Sequence, residues 1–186
     1  SVWLLNRHSQ IGVFEAGISQ KGEMRTLRDI IHPTIAVLTN LGTAHQENFA
    51  SQEEKCREKL RLFKDADVMV YNADDETVTA VMGEQHFKGE TLAWSRKDPS
   101  AAFFIEQTEK GETRTRVSYI YKGEAGSYEL PFIDEASTVN SFVCAAICLH
   151  LGLEAYVLAQ RMARLEPVAM RLEVKEVQKG CTLIND

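Results

Sequence analysis

Three residues in the first third of the chain could share one task. Glu15 ends the apolar run Ile11-Gly12-Val13-Phe14 and opens onto a glycine-bearing loop, Ala16 to Gly22. A carboxylate at the C-terminal end of a buried strand is well placed to hold a hard cation such as Mg²⁺. It could equally cap a neighbouring backbone. His45 closes the polar loop Thr39-Asn40-Leu41-Gly42-Thr43-Ala44-His45. Its imidazole could ligate a metal or take up a proton near neutral pH, although a lone loop histidine is more often only solvated. Lys59 follows on a helix, beside the apolar stripe Cys56, Leu60 and Phe63. Burial there would disfavour the ammonium and lower its pKa. A neutral amine can add CO₂ to give a carbamate, which is an anionic metal ligand. Most helical lysines instead lie on a solvated face.

Other candidates are weaker as isolated residues. Asn72-Ala73-Asp74-Asp75 could bind a cation, but a helix cap is the better reading, because Asp is favoured there. Asn140 falls in the first turn of a helix that is otherwise apolar or small, where an amide can meet a base edge or simply cap. Arg171 and Asp186 lie by the closing strands. No phosphate-cradling G-x-x-x-x-G-K-[ST] loop occurs, and neither does Gly-x-Ser-x-Gly, His-Glu-x-x-His or Cys-x-x-Cys.

The elements that must position these residues follow from periodicity. Ile11 to Glu15 and Ile35 to Leu38 have the composition of short buried strands. Between them Glu23 to Ile31 puts Met24, Leu27, Ile30 and Ile31 on one helical face, and Pro33 stops it. Ser51 with Glu54 three residues on is a capping box and opens the helix that carries Lys59. Val68 to Tyr71, a helix to about Met82 and Thr91 to Trp94 continue the alternation. Strand–helix repetition predicts an α/β fold, a largely parallel sheet with helices on both faces. In such sheets ligands collect where strands end and helices begin.

The pattern changes near Pro99. Phe103 to Gln107, Val117 to Tyr121 and Tyr128 to Phe132 read as antiparallel strands, with turns at 109–112 and 122–126. Helices return at Ser137 to about Leu151 and at Glu154 to about Leu165. Leu172 to Val177 and Cys181 to Ile184 close as strands. The expectation is one domain over 1–186, an α/β core at 1–95 and 133–186 with an antiparallel β patch at 96–132.

Composition narrows the class. A net charge of −6 argues against a nucleic-acid surface, which would want a basic stripe. No apolar run reaches the roughly 18–20 residues that span a membrane, and Asn6-Arg7-His8 directly after Leu5 lead us to expect no signal peptide in this stretch. The four cysteines, Cys56, Cys144, Cys148 and Cys181, lack zinc-site spacing and suit a reducing cytoplasm. Both ends fall in mid-pattern, so the chain reads as an excised piece of something longer.

Taken together, Phe14-Glu15-Ala16-Gly17, Gly22-Glu23-Met24, the loop from Thr39 to His45, and Glu58-Lys59 resemble the central domain of the Mur ligases. These are ATP-dependent amide-bond ligases of peptidoglycan synthesis. The Glu-x-Gly-x₄-Gly-Glu form at 15–23 and Ala44 before His45 are those of the branch that adds D-alanyl-D-alanine to UDP-N-acetylmuramoyl-tripeptide. Some bacteria fuse that ligase to an alanine racemase. The resemblance covers nearly the whole chain and is thinnest over 96–132. It implies a three-layer, P-loop-NTPase-like fold that uses ATP and Mg²⁺. It implies that Glu15 and His45 hold Mg²⁺ ions and that Lys59 is carbamylated and joins them. Asn140 would contact adenine, although Ala136 and Ser137 stand where the family has His and Asn. Arg171 would lie near the nucleotide phosphates and ribose, and Asp186 would bind the ribose. The resemblance also implies that a UDP-sugar domain, a phosphate loop and a C-terminal domain lie outside this chain, which alone would be inactive. Alternatives are a folylpolyglutamate-synthase-like ligase, a non-catalytic nucleotide-binding module, and a Mg²⁺-dependent hydrolase.

Overall fold

The computed structural model describes residues 6–166 and, beyond them, the backbones of two strands at 173–177 and 181–185. Eight strands and five α-helices occur among the described residues. Strands β1 (Ile35–Val37), β2 (Val68–Asn72) and β3 (Glu90–Ser95) are parallel neighbours. β4 (Phe103–Lys110) joins β3 in parallel through only Trp94↔Phe103 and Ser95↔Phe104. β5 (Thr115–Tyr121) and β6 (Glu124–Leu130) then continue antiparallel. The result is one six-stranded sheet in sequence order, so the antiparallel strands extend the parallel sheet. β7 (Glu173–Val177) and β8 (Cys181–Asn185) form a separate antiparallel pair.

Helices cover both faces, as the strand–helix alternation predicts. Side chains alternate across a strand, so β2 sends Val68 and Val70 one way and Met69 the other. Val68 and Val70 meet α4 (Glu135–His150) and α5 (Ala155–Met162) through Phe142, Val143 and Leu158. Phe142 packs edge-on against Trp94 with ring centres 5.3 Å apart. Met69 and Ala36 meet α1 (Glu23–Ile31), α2 (Gln52–Leu60) and α3 (Glu76–Gln85) through Met24, Cys56, Leu60 and Val78. No helix among the described residues is long and apolar enough to cross a membrane.

Local chemistry sets the helix ends. Ser51 Oγ accepts from the Glu54 amide at 3.2 Å, but the Glu54 carboxylate reaches back to the Ala50 amide at 2.7 Å. The box therefore closes one residue earlier than its usual reciprocal form. Asp75 caps α3 by accepting from the Val78 amide at 3.1 Å, so the acidic turn is a cap. Asp134 caps α4 through the Ser137 amide at 2.7 Å, which starts that helix at Glu135. Asn140 therefore lies in its second turn and not, as expected, in its first.

Two other expectations are corrected. Residues 11–15 form no strand: a strand needs a ladder partner, and among the described residues none pairs with this run. Ile11 and Val13 stay exposed as a result. The second hairpin turn is only Lys122-Gly123, with φ of 50° and 84°. Positive φ at both central residues matches the twist of the flanking strands. Gly126 belongs to β6 and has a different task, since a Cβ there would lie 2.4 Å from the Tyr119 ring.

Candidate functional site

β1 runs on through the Leu38 amide, which donates to Val70 O at 2.9 Å, and then breaks into the loop 39–45. Gly42 turns it with φ of 61°. His45 also has positive φ, 57°, and leads into a 3-10 turn at Gln46–Asn48. That left-handed geometry costs a non-glycine residue on the order of 1 kcal/mol, so something must hold the loop.

What holds it is α2. Lys59 Nζ donates to Asn40 O at 3.0 Å. One turn earlier, Lys55 Nζ donates to Gly42 O at 3.0 Å and to Ala44 O at 2.6 Å. Two amino groups at i and i+4 on one helix face thus grip three carbonyls of one loop. Lys55 is only 1% exposed. Lys59 is half-buried, and burial followed by the neighbouring Lys55 holds its pKa below the usual lysine value. Beneath them Cys56 is fully buried, and desolvation with help from Asp75 pushes its thiol up to about 11.

The same helix grips the preceding loop. Glu58, 4% exposed, accepts from the Gly22 amide at 2.6 Å and pairs with Arg61 at 3.0 Å. Asn48 Nδ2 donates to Ser19 O at 2.9 Å, which ties the two loops to each other. Glu23 accepts from the Ser19 and Gln20 amides, and these bonds hold its carboxyl below the usual range.

Of the residues singled out from the sequence, the structure brings His45 and Lys59 to one loop–helix junction. His45 is half-exposed, with Nδ1 3.9 Å from Glu47 Oε1. Glu15 is exposed on the unpaired segment and makes no ion pair among the described residues. No three His, Cys, Asp or Glu side chains converge as a metal cluster among the described residues. Asn140 is exposed on α4, on the opposite face of the sheet from α2. Arg171 and Asp186 lie outside the described residues.

Two features escaped the sequence reading. Lys55 is one; it lies at i, i+4 from Lys59, but nothing local marks it as buried. The other is a polar network at the C-terminal ends of β2 and β3. There Asp74 accepts from Ser95 Oγ and from the Arg96 amide, the latter at 2.8 Å. Arg96 pairs with Glu135 at 2.6 Å and lies over the Phe142 ring at 4.8 Å. Ligands of open α/β sheets collect at that end of the strands.

Residues 4–148 match the Mur ligase middle domain. The chain belongs to that family. This Mur ligase middle domain is 24% identical, over 189 residues, to the UDP-N-acetylmuramoyl-tripeptide–D-alanyl-D-alanine ligase of Bacillus subtilis (strain 168). The alignment takes in 100% of this chain and 40% of the relative, so the chain spans about two-fifths of that protein's length. The fold superposes on a crystal structure of MurF from Acinetobacter baumannii with a TM-score of 0.82 and 19% identity, covering 98% of this chain and 40% of that one. A Thermotoga maritima MurF ligase in complex with ADP gives a TM-score of 0.72 at 22% identity, covering 90% of this chain and 38% of that one.

Proposed function

We propose that the chain is the central, nucleotide-binding part of a cytoplasmic ATP-dependent ligase. The ligase joins D-alanyl-D-alanine to UDP-N-acetylmuramoyl-tripeptide in peptidoglycan precursor synthesis. The observation that carries this reading is the alignment of the whole chain with the B. subtilis ligase of that name. The loop–helix junction at His45 and Lys59 supports it from the side of chemistry.

The tripeptide carboxylate attacks the γ-phosphate of ATP, giving an acyl phosphate and ADP. The amine of D-alanyl-D-alanine then displaces phosphate and forms the amide. The first step brings two anions together, and the protein must hold them in line. Glu15, His45 and Lys59 as a carbamate would hold Mg²⁺, which when bound screens that repulsion. The Glu15 carboxylate and the Lys59 carbamate would supply the oxygen donors that a hard cation takes. Lys59 faces a backbone carbonyl, with no carboxylate paired to it among the described residues, and its lowered pKa favours the neutral amine that carbamylation needs. α2 would keep His45 in register with Lys59. Asn140, Arg171 and Asp186 would serve the adenine, the phosphates with the ribose, and the ribose. The T. maritima relative is a MurF ligase in complex with ADP, which supports adenine-nucleotide use by the parent ligase.

The test uses the full-length protein. Phosphate release should require ATP, the UDP-tripeptide and D-alanyl-D-alanine together, and Lys59→Ala should lower kcat by about 100-fold or more. With ¹³C-bicarbonate, a carbamate signal should be present in the wild type and absent in Lys59→Ala. Release without any amine acceptor would instead mean a hydrolase. Turnover of a folate with glutamate would mean a folylpolyglutamate ligase. The isolated 186-residue chain should turn over nothing. Sequencing the flanks of the parent gene tests the expected phosphate loop, the outer domains and any fused alanine racemase.

A further inference from the structure

Lys55 takes no part in the reaction proposed above, yet it is among the most thoroughly buried side chains of the protein. A lysine is a costly occupant of such a position, because its amino group must leave water. An apolar side chain would fill the space on α2 at less cost. Among the described residues no carboxylate pairs with it. Its amino group donates to Gly42 O and Ala44 O, the carbonyls on either side of Thr43. The second of these is the peptide carbonyl joining Ala44 to His45, and His45 is the residue held at positive φ.

We infer that Lys55 is a positioning residue: its amino group is an internal clamp on the Gly42 and Ala44 carbonyls, and it fixes the direction in which His45 is presented. The inference rests on the ligase reading for what His45 does, but not for what Lys55 holds. Without the clamp both carbonyls lose their partners beneath α2. The loop then relaxes towards ordinary φ values, and His45 loses its fixed direction. Lys59 cannot substitute, because its own amino group is committed to Asn40 O and, as a carbamate, would no longer donate there as an ammonium does. Lys55 therefore acts through His45 and touches no reacting atom.

The test uses Lys55→Met in the full-length ligase, which keeps the apolar stem and removes both donor bonds. A displaced metal-holding group costs on the order of 10–100-fold in kcat. The KM for the UDP-tripeptide should stay within about twofold, while the Mg²⁺ concentration for half-maximal rate rises about tenfold. Amide hydrogen exchange over residues 43–46 should quicken about tenfold, with α4 and α5 unchanged. Lys55→Ala should regain part of its rate with n-propylammonium, which replaces the deleted atoms, and none with tetramethylammonium at equal ionic strength.

Wild-type exchange over 43–46 in Lys55→Met, or an unchanged Mg²⁺ dependence, would overturn the inference. So would failure of n-propylammonium to restore Lys55→Ala. If Lys55→Met does not fold, Lys55→Gln, which keeps one donor group, is judged by the same two readings. A wild-type protein without D-alanyl-D-alanine-dependent phosphate release would sink the ligase reading instead. The exchange measurement would then still decide whether Lys55 holds the loop.

Discussion

Lys59 and Lys55 sit one helical turn apart, yet only Lys59 stood out in the sequence. Lys59 borders the stripe of Cys56, Leu60 and Phe63 and belongs to the Glu58-Lys59 pair that carries the family resemblance, so both periodicity and resemblance pointed to it. Lys55 is buried because loop carbonyls from 11 and 13 residues away close over it, and no local pattern encodes that. Glu58 is the same case, buried by its bond to the Gly22 amide 36 residues away. Desolvation pushes both the Cys56 and the Cys144 thiol up, Cys56 to about 11, but Cys56 is fully buried whereas Cys144 on α4 is open to solvent. At pH 8 a group with a pKa near 11 is roughly one-thousandth thiolate, and only the thiolate reacts quickly. A disulfide reagent at pH 8 should therefore label Cys144 within minutes and Cys56 only after denaturation, as read by peptide mass spectrometry. Rapid native labelling of Cys56 would contradict the burial described.

At the scale of elements, the helices were legible and the strand edges were not. Helix α1 spans the residues its apolar face and Pro33 predict, and Ser51 and Asp75 cap where the sequence places caps, whereas the Asp134 cap that starts α4 at Glu135 went unread. Capping is local chemistry and so is written locally. A strand is completed by its neighbour. Residues 11–15 have strand-like composition but no ladder partner among the described residues. Gly126 shows the same limit. Beside a hairpin, a glycine reads as part of the turn, but its position in β6 answers to Tyr119 on the next strand. Tyr119 stacks on Phe103 at 5.0 Å and tilts against Tyr128 at 5.9 Å, so it has little room to yield. Gly126→Ala should destabilise the protein by about 1–3 kcal/mol in urea unfolding. Adding Tyr119→Leu should recover part of that loss, giving a coupling of at least about 0.5 kcal/mol in the double-mutant cycle. Strictly additive effects would mean that the close approach is not what selects glycine.

At the scale of the molecule, the α/β class and the antiparallel run were both visible in the order of elements. Their union in one sheet was not, because it depends on the two pairs Trp94↔Phe103 and Ser95↔Phe104. That narrow join is followed by strands each laid against its predecessor, with no crossover back to an earlier strand among β1 to β6. The consequence is kinetic. The β4–β5–β6 meander closes through tight turns, so its loop-closure entropy is small. The β1–β2 pairing must close over the whole of α2, a longer excursion. Short-range closure is the faster kind, so the meander should acquire protection first in pulse-labelled hydrogen exchange during refolding, and the β1–β2 ladder later. On a ribosome the order of synthesis runs the other way. The N-terminal strands emerge first and must wait, while the part that assembles most readily leaves the exit tunnel after them.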